Sequence, residues 1–277
     1  MKLQRRMLGN TGVEVTVLGL GGEGVLRTFD RHEEAYSLIN EAIDLGINYC
    51  ESARAYSGSE SYYGNSLKER RKDVFLTSKS HARDKKGALL HLHLTLKNMK
   101  TDYLDLWQVH DVRTQGDIKE IFGPGGAIEA FVEAKQKGLV RFVGVTGHHD
   151  PAVLCSCIEM HDFDTVLLPV NPAELEHSSF PGSVIPLARS KNMGIIGMKV
   201  YLRGLVQRLP KFTGMEPFLH FALSQPITTA VLGCDSTLQL RQNVEYAKSF
   251  RPMSEADLNQ LAEDVEPFAK WLMYYKP

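Results

Sequence analysis

Four side chains that can hold or move a proton stand at or just after the ends of short apolar runs. Glu51 and Tyr56 lie in the stretch GINYCESARAY (46–56), and Lys79 and His110 end the next two runs. A phenol has an ordinary pKa of about 10, which a nearby ammonium lowers by favouring the phenolate. A carboxylate would keep the ammonium charged, and an imidazole could donate to a carbonyl oxygen. The set suits proton transfer coupled to attack on a carbonyl.

None of these four groups can supply a hydride, so reduction of a carbonyl would require a redox cofactor. The run Gly19-Leu-Gly21-Gly-Glu-Gly24 has the spacing of a dinucleotide-binding fingerprint. In that fingerprint the third glycine opens a helix directly, whereas Val25 to Asp30 intervene here. We therefore expect no Rossmann domain, and we expect these glycines to let the backbone approach a ligand closely.

Eight β-rich runs alternate with helical periodicity along the chain. The predicted strands cover 13–21, 47–52, 73–79, 103–110, 139–147, 163–171, 193–200 and 227–233. Most are continuous apolar runs, which is typical of parallel strands covered on both faces. The first predicted helix begins at a capping box of Asp30 and Glu33 and ends at Gly46. The others cover 59–70, 85–99, 126–137, 150–160, 183–192, 215–224 and 236–247.

This alternation predicts an α/β fold, a (β/α)₈ TIM barrel formed by residues 1–277 as a single domain. An N-terminal β-hairpin over about 2–17 would close the barrel floor, and an extra C-terminal helix, capped by Ser254, would pack outside. Such a barrel carries its active site at the C-terminal ends of the strands. The polar residues that fall there are Glu51, Lys79, His110, Thr146, Asn171 and Lys199.

The composition excludes several other classes of function. Lys plus Arg number 32 and Asp plus Glu 33 in 277 residues, so no overall field attracts nucleic acid or an anionic membrane. No apolar stretch approaches the roughly 18 residues that span a bilayer, and no secretory signal is evident, which predicts a cytoplasmic location. The four cysteines suit neither a disulfide framework nor a metal site, so no metal is predicted.

These motifs together resemble those of the aldo-keto reductases, over nearly the whole chain. LGNTGVEVTVLGLGG is similar to that family's N-terminal hairpin and first strand, and GINYCESARAY to its G-I-N-x-x-D-T-A-x-x-Y segment. VFLTSK and YLDLWQVH resemble its lysine and histidine strands; GLVRFVGVT and ITTAVLGCDSTLQLRQNVEYA resemble cofactor-binding segments. The resemblance implies NADP(H) or NAD(H) bound in extended form, and interconversion of a small carbonyl compound and its alcohol.

The resemblance also implies roles for individual residues. Tyr56 would be the general acid/base, Lys79 would lower its pKa, and His110 would orient the substrate carbonyl. Glu51 stands where the family has aspartate, and we predict that it still pairs with Lys79. The residues that would hold the cofactor are Gly21, Gly22, Thr146, Gly147, Asn171, Met198, Lys199, Gly233, Ser236, Gln239 and Asn243.

Three departures from the family pattern concern the cofactor. Gly147 replaces an asparagine, and Leu167 stands where a glutamine often meets the nicotinamide. Asp235 falls where many members carry a basic residue for the 2′-phosphate, although Arg241 or Lys199 could compensate. Family grounds therefore favour NADP(H), and Asp235 keeps NAD(H) open. The chain ends soon after its last helix, without the long C-terminal loop that narrows the pocket in many members of that family. This departure predicts an open substrate site.

Two other functions compete with carbonyl reduction. One is a nicotinamide-nucleotide-binding regulatory or sensor module with little turnover, as in the channel β subunits that resemble this family. The other is a barrel lyase or aldolase with Lys79 as Schiff-base amine, which is disfavoured because an adjacent acid keeps that amine protonated. The sequence does not identify the substrate, the direction of reaction or any partner protein.

Overall fold

Eight parallel strands close into a barrel in this computed structural model, which describes residues 2–175 and 178–277. The barrel strands are β3 (Leu18–Gly24), β4 (Tyr49–Glu51), β5 (Phe75–Ser80), β6 (Leu104–Val109), β7 (Val140–Thr146), β8 (Thr165–Pro169), β9 (Gly194–Met198) and β10 (Thr229–Cys234). They pair in chain order, and β10 pairs with β3 to close the ring. The predicted (β/α)₈ barrel is thus confirmed.

Helices follow each barrel strand. They are α1 (His32–Asp44), α2 (Ser59–Ser66), α3 (Lys85–Met99), α4 (Gln115–Phe122), α5 (Ala127–Gln136), α6 (Pro151–Met160), α7 (Phe180–Ser190), α8 (Glu216–Ser224) and α9 (Thr237–Ser249). Beyond the barrel lie α10 (Glu255–Val265) and α11 (Ala269–Leu272), so the predicted C-terminal helix is confirmed. Helix α4 was not predicted. None of the helices in the described ranges is both long and apolar enough to cross a membrane.

The N-terminal hairpin consists of β1 (Arg5–Met7) and β2 (Glu14–Thr16), which pair antiparallel as predicted. The predicted first strand over 13–21 is wrong as one element. The backbone leaves the hairpin at Val17, whose N–H donates to the Gln4 carbonyl, and then enters the barrel as β3. One apolar run therefore forms strand β2 of the hairpin and then strand β3 of the barrel.

The apolar core has two layers. Inside the barrel, Leu8 of the hairpin belongs to one cluster of buried apolar side chains to which several strands contribute; the strand residues are Tyr49, Phe75, Leu106, Leu167, Ile196 and Val231. Between strands and helices, Trp107 stacks on Phe131 with ring centroids 3.7 Å apart. Burial on both faces explains the continuous apolar runs of the strands.

The helix termini test the capping predictions. The predicted Asp30–Glu33 box is wrong: α1 starts after Arg31 without a side-chain cap, because Asp30 adopts a left-handed conformation with φ 58°. Gly46 does follow the helix with φ 95°, as predicted for a C-terminal cap. The Ser254 hydroxyl accepts from the Asp257 N–H at 3.1 Å, which confirms the predicted start of α10.

Candidate active site

A cavity of about 1050 Å³ opens at the C-terminal ends of the barrel strands. All four predicted catalytic residues line it: Glu51, Tyr56, Lys79 and His110. Eight of the predicted cofactor residues line it too: Gly21, Gly22, Thr146, Met198, Lys199, Gly233, Gln239 and Asn243. The barrel therefore brings these residues to one site.

Three predicted cofactor residues do not line this cavity, namely Gly147, Asn171 and Ser236. A Cβ on Gly147 would lie 3.2 Å from the backbone oxygen of Val112, so this residue faces away from the cavity. Asn171 is fully buried, and its amide donates to the Tyr275 hydroxyl at 3.2 Å. The Ser236 hydroxyl caps α9 instead. Contact of these three residues with a cofactor stays a prediction.

Glu51 and Lys79 form the predicted ion pair. The Lys79 Nζ donates to Glu51 Oε1 and, at 2.8 Å, to the Ser52 carbonyl. The second carboxylate oxygen, Oε2, accepts from the Gly22 N–H at 2.6 Å. Lys79 is 1% exposed and Glu51 4% exposed, so both charges are buried. The extra methylene of glutamate lets one carboxylate contact the ammonium and the backbone of β3 together.

Packing within the protein accounts for the glycines at this wall. A Cβ on Gly22 would lie 2.7 Å from Cδ2 of Tyr56 and 2.9 Å from the Glu51 carbonyl oxygen. A Cβ on Gly21 would lie 2.9 Å from the backbone carbon of Leu232 on β10. These atoms belong to the protein, so close packing alone requires glycine at both positions, and the approach of a ligand to this backbone stays a prediction.

Tyr56 stands half-buried at the cavity wall. The Lys79 ammonium lies 4.7 Å from the centre of its ring, and the His110 ring meets it edge-on at 5.9 Å. Burial raises the pKa of the Tyr56 phenol, and the Glu23 carboxylate raises it further. The lowering of this pKa by Lys79, which the resemblance implies, stays a prediction, because burial is the largest cause of the net shift. Lys79 contacts the ring and Glu51, and its charge is offset by that carboxylate.

Burial is also the largest cause of the pKa shifts of Lys79 and His110, the two titrating groups beside Tyr56. It lowers the pKa of the Lys79 ammonium, against the attraction of Glu23. It lowers the pKa of His110 well below its usual range, and the charge of Lys79 lowers it further. Within the described part of the chain, the buried Nδ1 of His110 has no hydrogen-bond partner. His110 is therefore a neutral imidazole at neutral pH, available to a ligand in the cavity.

His148, which sequence analysis did not identify, places a second half-buried imidazole at the cavity wall. Its Nε2 lies 3.1 Å from Asp111 Oδ1, and the Asp111 N–H donates to the Thr146 hydroxyl at 2.7 Å. Burial and the charge of Lys199 lower the pKa of His148 to about 4. The hydroxyl of Thr146 thus helps to hold the segment that carries this pair.

Acid is expected to destabilise the fold through His110 and His148. Both have a pKa below that of the unfolded chain, so unfolding takes up protons below about pH 6.5. The stability that the neutral imidazoles of His110 and His148 contribute is fully present above about pH 6.5 and is lost as the pH falls toward 4. For His148 alone, we expect the free energy of unfolding to drop by about 2 kcal/mol between pH 7 and pH 5 in urea titrations.

The matched control is His148→Gln, which keeps hydrogen-bonding capacity and removes the titration. Its unfolding free energy should depend less on pH over the same interval. An identical pH dependence in both proteins would contradict the account of His148.

Sequence analysis also missed a group of charges that links the end of β3 to the segment after β9. The Glu23 carboxylate accepts from Arg27 at 2.7 Å and from Arg203 at 2.9 and 3.1 Å, and all three line the cavity. Glu23 lies near the end of β3 and Arg27 follows that strand, so the strand-end rule could have identified both. The position of Arg203 depends on a turn after β9 that the sequence did not predict.

The C-terminal tail lines one side of the cavity, and the open substrate site stays a prediction. Tyr274, Tyr275 and Lys276 all line the cavity. The Tyr275 hydroxyl donates to Glu174 Oε1 at 2.6 Å, and the Lys276 ammonium contacts Glu174 Oε2 at 2.7 Å with both side chains buried. A buried carboxylate thus holds the tail against the barrel.

Residues of β10, of α9 and of the turn between them line one end of the cavity. Asp235 is exposed, and its N–H donates to the Gln239 side chain at 2.8 Å. Arg241 pairs with Glu41 and does not line the cavity. Lys199 lies 4.8 Å from the centre of the Tyr275 ring, and burial lowers its pKa to about 8.

The chain is similar in sequence to a known family of enzymes. The model of the aldo/keto reductase family matches residues 17–217. An uncharacterized oxidoreductase of Bacillus subtilis, YqkF, is 24% identical and aligns over 94% of this chain and 95% of its own length. L-galactose dehydrogenase of Arabidopsis thaliana is also 24% identical, over 96% and 95%.

Solved structures show the same fold. A holo aldo-keto reductase from Bacillus halodurans superposes with a TM-score of 0.80 at 22% identity, over 95% of this chain and 96% of that one. An aldo-keto reductase from Klebsiella pneumoniae, in complex with NADPH, superposes with a TM-score of 0.76 at 18% identity, over 100% and 97%. Together with the family match over most of the chain, these findings give the conclusion that the chain belongs to the aldo/keto reductase family and is an NAD(P)-dependent oxidoreductase.

Proposed function

We propose that this enzyme interconverts a small-molecule carbonyl compound, an aldehyde or ketone, and its alcohol. The observation that carries the proposal is the meeting of Tyr56, the Glu51–Lys79 pair and His110 at one wall of the cavity. A phenol, a buried ion pair and a neutral imidazole form a set suited to protonating a carbonyl oxygen.

The cavity suits a nicotinamide dinucleotide in its size and in its donor groups. Lys199 has no carboxylate within ion-pair distance in the described ranges, and its ammonium faces the Tyr275 ring, so it is available to a pyrophosphate. Thr146 and Met198 would contact the nicotinamide end, and Gln239 and Asn243 the adenosine end. When bound, the reduced cofactor supplies a hydride to the carbonyl carbon.

The residues of the chain supply the proton and the geometry. His110 would donate to the carbonyl oxygen and fix its direction, while the Tyr56 hydroxyl would protonate it. The raised pKa of Tyr56 keeps the phenol protonated across neutral pH, which suits reduction better than oxidation. Glu51 holds Lys79 in place by bonding to it and to the Gly22 N–H.

Consumption of NADH and NADPH with a panel of aldehydes and ketones tests this function. Steady turnover on at least one class of carbonyl compound supports it. Tight dinucleotide binding with negligible reduction across the panel would favour the sensor module instead.

The adenosine end supports a preference for NAD(H) over the NADP(H) favoured on family grounds. The side chains that line this end include Asp235, Gln239 and Gln242, and the described β10 and α9 contribute no lysine or arginine to the lining. Arg241, the compensating residue that the sequence suggested, is paired with Glu41. A carboxylate here repels a 2′-phosphate and can accept from a free ribose hydroxyl.

Calorimetric titration is therefore expected to show tighter binding of NADH than of NADPH. Asp235→Asn removes the charge at constant size and should strengthen NADPH binding about tenfold, because repulsion of the 2′-phosphate is relieved. NADH binding should change little. Tighter binding of NADPH by the unmodified protein, or an unchanged NADPH affinity in the variant, would contradict this role of Asp235.

A further inference from the structure

Two cations approach the Tyr56 ring. The Lys79 Nζ lies 4.7 Å from the ring centre, and the Arg27 guanidinium carbon lies 4.8 Å from it. We propose that Arg27 is a positioning residue for the reaction, whose charge favours the ionised form of the Tyr56 phenol. This inference rests on the proposed role of Tyr56 as the acid/base group.

The contacts of Lys79 explain why a second cation is needed. Its ammonium is in direct contact with the Glu51 carboxylate, so the buried pair carries little net charge toward the phenol. Burial also disfavours the charged form of Lys79. A phenolate at Tyr56 would therefore lack a counter-charge if Lys79 were the only cation nearby.

Arg27 can supply that counter-charge because its own carboxylate partner is shared. Glu23 accepts from Arg27 on one side and from Arg203 on the other. The three side chains together carry one net positive charge, and of the two guanidinium groups Arg27 is the one over the Tyr56 ring. A cation over an aromatic face is also favourable in itself.

The surrounding charges determine the sign of each expected effect. Glu23 and Asp111 raise the pKa of Tyr56, and Arg27 and Arg203 lower it, after the dominant effect of burial. The charged or titrating groups that face the phenol from the neighbouring elements are Glu23, Arg27, Glu51, Lys79, His110, Asp111 and Arg203. Removing the charge of Arg27 should raise the pKa of Tyr56, and removing that of Glu23 should lower it. Loss of structure at this loop would not give opposite signs from two residues bonded to each other.

The pH profile of alcohol oxidation with saturating oxidised cofactor measures this effect, because oxidation requires the phenolate. We expect Arg27→Met to move the alkaline break of the profile to higher pH, with about three- to tenfold less phenolate at a fixed pH below the break. Glu23→Gln should move the break to lower pH, and Arg27→Lys should leave it near that of the unmodified enzyme. A break unmoved by Arg27→Met, or moved the same way by Arg27→Met and Glu23→Gln, would overturn the inference.

A second readout separates this inference from the proposed function. The Tyr56 phenolate absorbs in the ultraviolet, and its signal is obtained by subtracting the titration of Tyr56→Phe. In the complexes with oxidised cofactor, this signal should appear at higher pH in Arg27→Met, and at lower pH in Glu23→Gln, than in the unmodified enzyme. If no carbonyl compound or alcohol turns over, the proposed function fails and this titration still tests Arg27. If turnover depends on Tyr56 and neither the break nor the phenolate signal responds to Arg27→Met, only the role of Arg27 fails.

Discussion

Replacing Tyr56 with phenylalanine is expected to reduce turnover about 10²- to 10⁴-fold, the usual contribution of a positioned acid. The ring remains, so its contacts with Lys79 and His110 persist. Dinucleotide binding should therefore be nearly unchanged, because only the hydroxyl that donates the proton is lost. Steady-state kinetics with reduced cofactor and calorimetric titration, on the same preparation, measure the two quantities.

Tyr274→Phe is the matched control for this variant. Tyr274 is an exposed residue of the C-terminal tail that lines the same cavity, and it is not a predicted acid. Its turnover should stay close to that of the unmodified enzyme. Turnover by Tyr56→Phe at the unmodified rate would exclude Tyr56 as the proton donor.

Removing one partner of the Glu51–Lys79 pair is expected to lower the free energy of unfolding by about 3 to 5 kcal/mol, because the other charge is left buried and unpaired. The variants are Glu51→Gln, Lys79→Met and the combination of the two. The double variant should lose less stability than the sum of the single ones, because it leaves no unpaired charge. Urea unfolding at pH 7 measures all four proteins.

The surface ion pairs of Glu133 with Lys137 and Lys85 provide the control, since Glu133→Gln should lower the free energy of unfolding far less than either single variant of the buried pair. Single losses at Glu51 and Lys79 that are small, or that add without coupling, would contradict a buried ion pair. Glu51→Asp is a finer probe, because the shorter side chain cannot contact both Lys79 and the Gly22 N–H without backbone movement.

The strand-end rule explains why much of the candidate site was predictable. Glu51, Lys79, His110 and Thr146 each stand at or next to the end of a barrel strand, and parallel strands bring such positions to one rim. The continuous apolar runs predicted the strands, because a strand that is buried on both faces carries apolar residues at consecutive positions. That residues 1–277 form one domain stays a prediction.

Other features of the site depend on information that local sequence patterns lack. The tail residue Tyr275 reaches the cavity because Glu174, far away in the chain, holds it there. The pKa of Tyr56 depends on a balance of burial against charge that only the packed site determines. Helix α4 was different: Thr114 and Asp117 form a capping box, a local signal that was present in the sequence and overlooked.

Transfer of deuterium from C4 of deuterated NADH or NADPH to the carbonyl carbon tests the central claim most directly. The account predicts one deuterium on the carbinol carbon of the product, formed by the unmodified enzyme and much more slowly by Tyr56→Phe. Dinucleotide binding without deuterium transfer to any aldehyde or ketone, or transfer at an undiminished rate in Tyr56→Phe, would contradict it.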